Sequence, residues 1–173
     1  MANSFISRKE KLIETGVYSE DDFGINLKGD LSERQRRMLL IFAYLWIGLA
    51  IINFLGILFF IYFLVLSSIN FLIIFLIAVI FLSSNIYLCM QHAKPFWNDV
   101  QDDVVKTASG EITKKFFYTS TGWKNYNSYY TVRVNNIVFS VSPLLYYALE
   151  DGKTYRLFYV PNSKRVINID THN

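Results

Sequence analysis

The sequence predicts a membrane α plus soluble β protein: a two-helix transmembrane hairpin followed by a five-stranded small β-barrel. Three observations carry that expectation. From Met38 to Met90 there are 53 consecutive residues without an Asp, Glu, Lys, Arg or His. Charged residues flank this run on both sides. Beyond Pro95 the pattern changes to short alternating polar and apolar segments punctuated by Gly, Asn and Pro.

One crossing of ~30 Å of hydrocarbon takes ~20 apolar residues at 1.5 Å of rise each. The charge-free run is too long for one such helix and suits two, with spans predicted at about 39–63 and 70–90. Ser67, Ser68 and Asn70 interrupt the run at its middle, and their side chains bond the local backbone, which favours a turn. That turn carries no charge. Arg34, Arg36 and Arg37 stand before the hairpin, with Lys94 after it, so the positive-inside rule predicts both termini in the cytoplasm. A cleaved signal peptide does not fit a run that begins only after a charged leader and is followed by no small-residue cleavage site.

Domain organisation follows: a cytoplasmic N-terminal tail at 1–31, the hairpin at 32–92, and a cytoplasmic β domain at 100–170. The first 37 residues hold seven basic and seven acidic side chains. Phe5, Ile6, Leu12 and Ile13 have roughly helical spacing, so this stretch reads either as a solvated tail or as a short docking helix. Gly24, Gly29 and Asp30 are expected to break any helix before Leu31. Ser32 and Gln35 then form a capping-box pair at the start of the first long helix.

Within the hairpin Asn53 is the central polar residue of its span. Counting from the turn, Ser83, Ser84 and Asn85 lie at its depth on the second helix. A bond from Asn53 to Ser84 or Asn85 across the hairpin is expected, because an unsatisfied amide in hydrocarbon is costly. No ionisable residue lies in either span, which disfavours an ion or proton path.

In the β domain, strands are predicted at Asp103–Thr119 (bent at Ser109-Gly110), Tyr129–Val134, Ile137–Val141, Thr154–Val160 and Lys164–Asp170. Asn135-Asn136 reads as a two-residue hairpin turn. Ser142-Pro143 reads as the N-cap and first residue of a helix at Leu144–Glu150. Three strands, a helix and two strands are the order of an OB-like barrel, with an SH3-like barrel as the alternative. The segment 101–173 is expected to fold on its own.

The stretch Asn26-Leu27-Lys28-Gly29-Asp30-Leu31-Ser32-Glu33-Arg34-Gln35, the hairpin, and the closing Gly152-Lys153-Thr154-Tyr155-Arg156-Leu157-Phe158-Tyr159-Val160-Pro161-Asn162-Ser163-Lys164 resemble a group of uncharacterised membrane proteins. Their pattern is Asn-x-x-Gly-x-Leu-Ser-x-x-Gln before the hairpin and Gly-x-x-Tyr-Arg-x-Tyr-Tyr-x-Pro-x-Ser-Lys near the end, with Phe158 standing where the pattern has Tyr. The layout is also similar to that of NfeD-type proteins, in which membrane helices carry an OB-like domain. That resemblance implies an assembly or scaffolding role.

Chemistry leaves few traces. Two histidines, His92 and His172, and one cysteine, Cys89, do not make a zinc pattern, and no cofactor, metal site or catalytic residue is predicted. Cys89 cannot form an internal disulfide, and no Asn-x-Ser/Thr acceptor is present. Tyrosines 118, 126, 129, 130, 146, 147, 155 and 159, with Trp123, crowd the β domain among lysines and arginines. Half of them are expected to fill a small core. Trp123, Lys124 and Tyr126, in the loop between the first two strands, are the candidate interaction residues. The expected role is a non-enzymatic, membrane-anchored interaction or scaffold module. Its expected partners are the lipid bilayer and either another protein or a second copy, and nucleic acid is disfavoured. The alternative is an enzyme or transport component whose site a partner chain completes.

Overall fold

The computed structural model describes residues 10, 12–66, 72–120 and 126–170, though not the side chains within 64–75 and 116–129. Among the helices before the sheet are α1 (Glu20–Leu27), α2 (Glu33–Leu66) and α3 (Leu72–Asp102). They are followed by β1 (Lys106–Ser120), β2 (Tyr126–Val134), β3 (Ile137–Ser140), α4 (Pro143–Ala148), β4 (Thr154–Tyr159) and β5 (Val166–Asp170). The chain divides into two compact units. One is Arg36–Asp102; the other joins the segment up to Gln35 with the segment from Asp103 onward.

In the first unit, α2 and α3 have 34 and 31 residues, which is ~51 and ~46 Å at 1.5 Å per residue. The stretches Glu33–Phe63 and Leu76–Asp102 are each long and apolar enough to cross a membrane. The predicted turn at Ser67, Ser68 and Asn70 lies outside the described residues. Phe42 stacks on Phe96 with ring centroids 5.7 Å apart, Trp46 on His92 at 4.6 Å, and Gly56 faces the Leu82 side chain. These three contacts share one antiparallel register, on which Asn53 falls level with Asn85. The second helix does not stop near residue 92 as predicted. It runs through Pro95 to Asp102. An interior proline removes one backbone bond and crowds the carbonyl four residues back. The ring contacts of His92 and Phe96 with the preceding helix flank this proline.

The second unit is built on a curled antiparallel sheet of order β3-β2-β1-β4-β5. β1 is shared: Lys106–Glu111 pairs with β4, and Ile112–Ser120 pairs with β2. The change of partner falls just after the predicted bend. There the Asn135 amide donates 2.9 Å to the Ser109 carbonyl, and Asn135 takes the positive φ of the β2–β3 turn, 54°. A Cβ on Gly110 would meet that amide oxygen at 2.7 Å, so a larger residue there would have to displace the Asn135 side chain and its bond to Ser109. Ala108, Ile112, Val132, Val134, Phe139 and Leu157 form the centre of the core.

α4 begins as its sequence dictates. Ser142 is extended, its hydroxyl accepts from the Leu145 amide at 3.2 Å, and Pro143 occupies the first turn. Ser142→Ala is expected to lower the unit's stability by about 1 kcal/mol, read as a shift in the denaturation midpoint at unchanged slope.

The N-terminal segment is a correction to the predicted tail. Leu12 is fully buried in the β core, and Thr15, Ser19 and α1 follow it over the sheet. Phe23 packs edge-on against Phe158 at 5.5 Å. This explains β5, whose five residues are all buried although an edge strand ordinarily alternates: α1 covers the face that would otherwise meet water. Gly24 sits inside α1 and does not break it. The break comes at Gly29, with φ +91°, because an interior glycine costs only about 1 kcal/mol and the flanking Asp22 and Asn26 are held by tertiary bonds.

Candidate interaction surface

Two polar or aromatic groupings stand out in the β unit, and one pair of amides in the hairpin. In the hairpin, Asn53 donates to the Leu49 carbonyl at 2.8 Å and Asn85 to the Phe81 carbonyl at 2.9 Å. The expected cross-hairpin bond is therefore replaced by two local ones. An asparagine side chain reaches the carbonyl four residues back in the same helix without drawing the helices together, which satisfies the donor at less conformational cost. Ser83 and Ser84 are exposed on the same helix.

The second grouping is a buried amide network in the β unit. Asn26 donates 2.8 Å to Gln35 Oε1, and Gln35 Nε2 donates 2.9 Å back to Asn26 Oδ1. Gln35 Oε1 also accepts from the Ser32 amide at 3.1 Å, and the Gln35 amide donates 3.2 Å to Ser32 Oγ, which completes the predicted capping box. Gln35 Nε2 reaches the Ile167 carbonyl at 3.3 Å. Asn168 donates to Asn26 Oδ1 at 3.2 Å and to the Ser19 carbonyl at 2.9 Å. Beside it Arg34 Nε donates 2.8 Å to the buried Asp22 carboxylate. Every amide in this cluster is satisfied by another, so it is a clasp and not a site awaiting a ligand.

The third grouping faces outward. Tyr130 of β2 and Tyr146 and Tyr147 of α4 form a triangle with centroid separations of 5.0, 5.9 and 5.5 Å. Lys114 Nζ lies 4.3 Å over the Tyr146 ring while donating 2.9 Å to the Leu149 carbonyl, the last carbonyl region of α4. Tyr130 and Tyr146 are half-buried, whereas Tyr147 is 70 % and its neighbour Leu144 65 % exposed. A cavity of about 220 Å³ adjoins them, lined by Glu14, Thr15, Leu144, Tyr147 and Ala148. Leu144 and Tyr147 thus make a small exposed apolar patch over a half-buried tyrosine base.

The candidate residues Trp123 and Lys124 lie outside the described residues; Tyr126 opens β2, and its side chain is likewise outside them. Of the other tyrosines, Tyr155 and Tyr159 are core, and the Tyr155 hydroxyl accepts from the Glu150 amide at 3.1 Å. What alternation could not tell is which tyrosines of a six-residue helix face out. Leu144 and Tyr147, three apart, share the face away from buried Leu145 and Ala148. Among the described residues no group of three His, Cys, Asp or Glu side chains could hold a metal ion. Cys89 is buried within the hairpin. Burial depresses the Arg165 pKa from its ordinary value, which leaves a guanidinium charged at neutral pH.

No protein-family model, curated protein or solved structure matches this chain.

Proposed function

We propose that this chain is an integral membrane protein whose two long helices cross a bilayer as a hairpin, and that it works without catalysis as an anchored interaction or scaffold module. The observation that carries the reading is the surface of the hairpin. Only 17 % and 11 % of the apolar windows of the two helices are buried, whereas a core helix of a water-soluble protein would be mostly covered. Ile41, Leu45, Ile52, Phe59, Ile77, Ile80, Phe81 and Leu88 are all exposed, a surface that hydrocarbon solvates and water does not.

Both flanks of the hairpin enter one compact unit. That supports an even number of crossings, with both flanks on one side of the membrane. Arg36, Arg37 and Lys94 favour the cytoplasmic side. The strand order, with a long β1 bridging β2 and β4 and a helix between β3 and β4, supports the OB-like reading of the sheet over the SH3-like one. The layout accords with the scaffolding role implied by the resemblance to NfeD-type proteins.

The working surface is the exposed Leu144 and Tyr147 over their tyrosine base, docking a protein partner. The joint substitution Leu144→Ser with Tyr147→Ser is expected to leave the melting temperature nearly unchanged, since exposed positions contribute within about 0.5 kcal/mol. It should weaken association about tenfold or more, as loss of an interface anchor worth over ~1.4 kcal/mol requires. Affinity purification in mild detergent, with quantification of co-purifying chains, reads this directly. Equal recovery by both forms would remove the surface from the proposal.

A further inference from the structure

The geometry points to a binding site for an anionic phospholipid on the hairpin, in the cleft lined by Ile47, Met90, Gln91, Ala93, Lys94 and Trp97. This inference rests on the membrane reading and says which lipid chemistry the anchor selects. The cleft has a volume of about 350 Å³, within the ~300–1,000 Å³ of small-molecule sites. Its lining is ordered along the helix axis. Met90, the last residue of the charge-free run, lies at one level with Ile47 and buried Ala93 beside it. Lys94 lies one turn further on, ~6 Å along the axis at 1.5 Å per residue, and Trp97 nearly one turn beyond that.

Placed in a bilayer, this ordering matches a phospholipid. With Met90 at the hydrocarbon edge, Lys94 stands within the headgroup layer, which adds ~5–8 Å on each face. The apolar half of the cleft then receives the upper acyl chain, and the Lys94 ammonium meets the phosphate and any further headgroup charge. The Gln91 amide supplies donors for ester or phosphate oxygens. The Trp97 backbone lies ~10 Å beyond Met90, and its ring reaches back toward the N-terminal turn to line the cleft beside Lys94. Charge complementarity specifies the occupant. None of the six lining residues is acidic, Lys94 is exposed, and the nearest carboxylate along the helix, Asp99, is fully buried five residues on.

The walls are held in place. Trp46 stacks on His92, Phe42 on Phe96, and Tyr44 meets Trp97 at 6.4 Å. Aromatic contacts thus brace the helices on both sides of Lys94, so the cleft is pre-formed and need not be opened by the lipid.

The test uses the full chain carrying Trp46→Phe and Trp123→Phe, so that Trp97 is the only tryptophan, reconstituted into phosphatidylcholine vesicles with a minor fraction of phosphatidylglycerol. Bromine, which quenches indole fluorescence at short range, is placed on the first carbons of the acyl chains, next to the ester groups, of either the minor phosphatidylglycerol or an equal amount of phosphatidylcholine. Brominated phosphatidylglycerol is expected to quench Trp97 at least about twofold more strongly. Lys94→Gln should abolish the difference, and Lys94→Arg should keep it. Vesicle flotation is scored on the same samples. Failure to float with lipid overturns the membrane reading and the site with it. Flotation with equal quenching by the two lipids, or with a preference that survives Lys94→Gln, overturns the site alone.

Discussion

Gln35→Leu is expected to destabilise the β unit by about 3–5 kcal/mol, although leucine is similar in size and leaves no cavity. The Gln35 carboxamide accepts from Asn26 and from the Ser32 amide and donates to Asn26 and to the Ile167 carbonyl. Leucine removes the acceptor of the buried Ser32 amide and a donor to the Ile167 carbonyl, at ~1–3 kcal/mol for each group that no water reaches. Asn26 keeps only its bonds with the Asp30 carbonyl and Asn168. Because Asn26 and Gln35 satisfy each other, the pair should be strongly coupled. Asn26→Ala with Gln35→Ala together should cost clearly less than the two singly. Urea denaturation in detergent, with hydrogen exchange at the amides of 166–170 as the local readout, measures both quantities. A loss below about 1 kcal/mol for Gln35→Leu would mean that water replaces the amide and that the network is a wet surface.

The other large effect comes from dividing the chain. Residues 101–173 expressed alone are expected not to melt cooperatively, whereas residues 1–35 joined to 103–173 by a flexible linker in place of the hairpin should do so. Removing the N-terminal segment takes Leu12 from the core, uncovers Phe158 and the outer face of β5, and leaves Asn168 without Asn26 and the Ser19 carbonyl. Emptying the Leu12 site alone is worth ~2–5 kcal/mol, and the whole loss reaches the ~5 kcal/mol at which small domains begin to unfold. Calorimetry on both forms decides the matter. A sharp transition for 101–173 within a few degrees of the linked form would show that the sheet stands alone, as its strands and turns suggest by themselves.

That contrast shows what could be read from residues in order. Signals that act within a few positions were legible: the Ser32/Gln35 box, the Asn135-Asn136 turn, the Ser142-Pro143 helix start, and a charge-free run long enough for two helices. The level of Asn53 with Asn85 also followed from counting, but the bond did not. A local carbonyl four residues back competes with any partner across the gap, and counting cannot weigh the two. Gly24 was misread because a glycine's cost inside a helix is local and small enough for tertiary contacts to offset. The amide network was half visible. The Asn26-to-Gln35 motif stood out as a pattern, but its third member, Asn168, is 142 residues from Asn26, and no periodicity links such positions. On the outward surface, composition announced the tyrosines, and only the fold of α4 separated exposed Tyr147 from half-buried Tyr146.

The clasp also sets a timetable for biogenesis. Gln35 leaves the ribosome 132 residues before Ile167, a wait of roughly 7 to 26 s at ~5–20 residues per second. Throughout that interval Leu12, Phe23 and the two amides have no strand to close upon, and on the proposed membrane reading the hairpin between them would choose its orientation first. A chain that threads only one of its helices strands the early segment and the late strands in separate compartments. It can then never complete the network, however well each part is made. On the proposed hairpin topology, closure of the clasp would thus separate two outcomes: chains inserted as a hairpin bury their amides, and chains with one helix threaded leave the face of β5 uncovered.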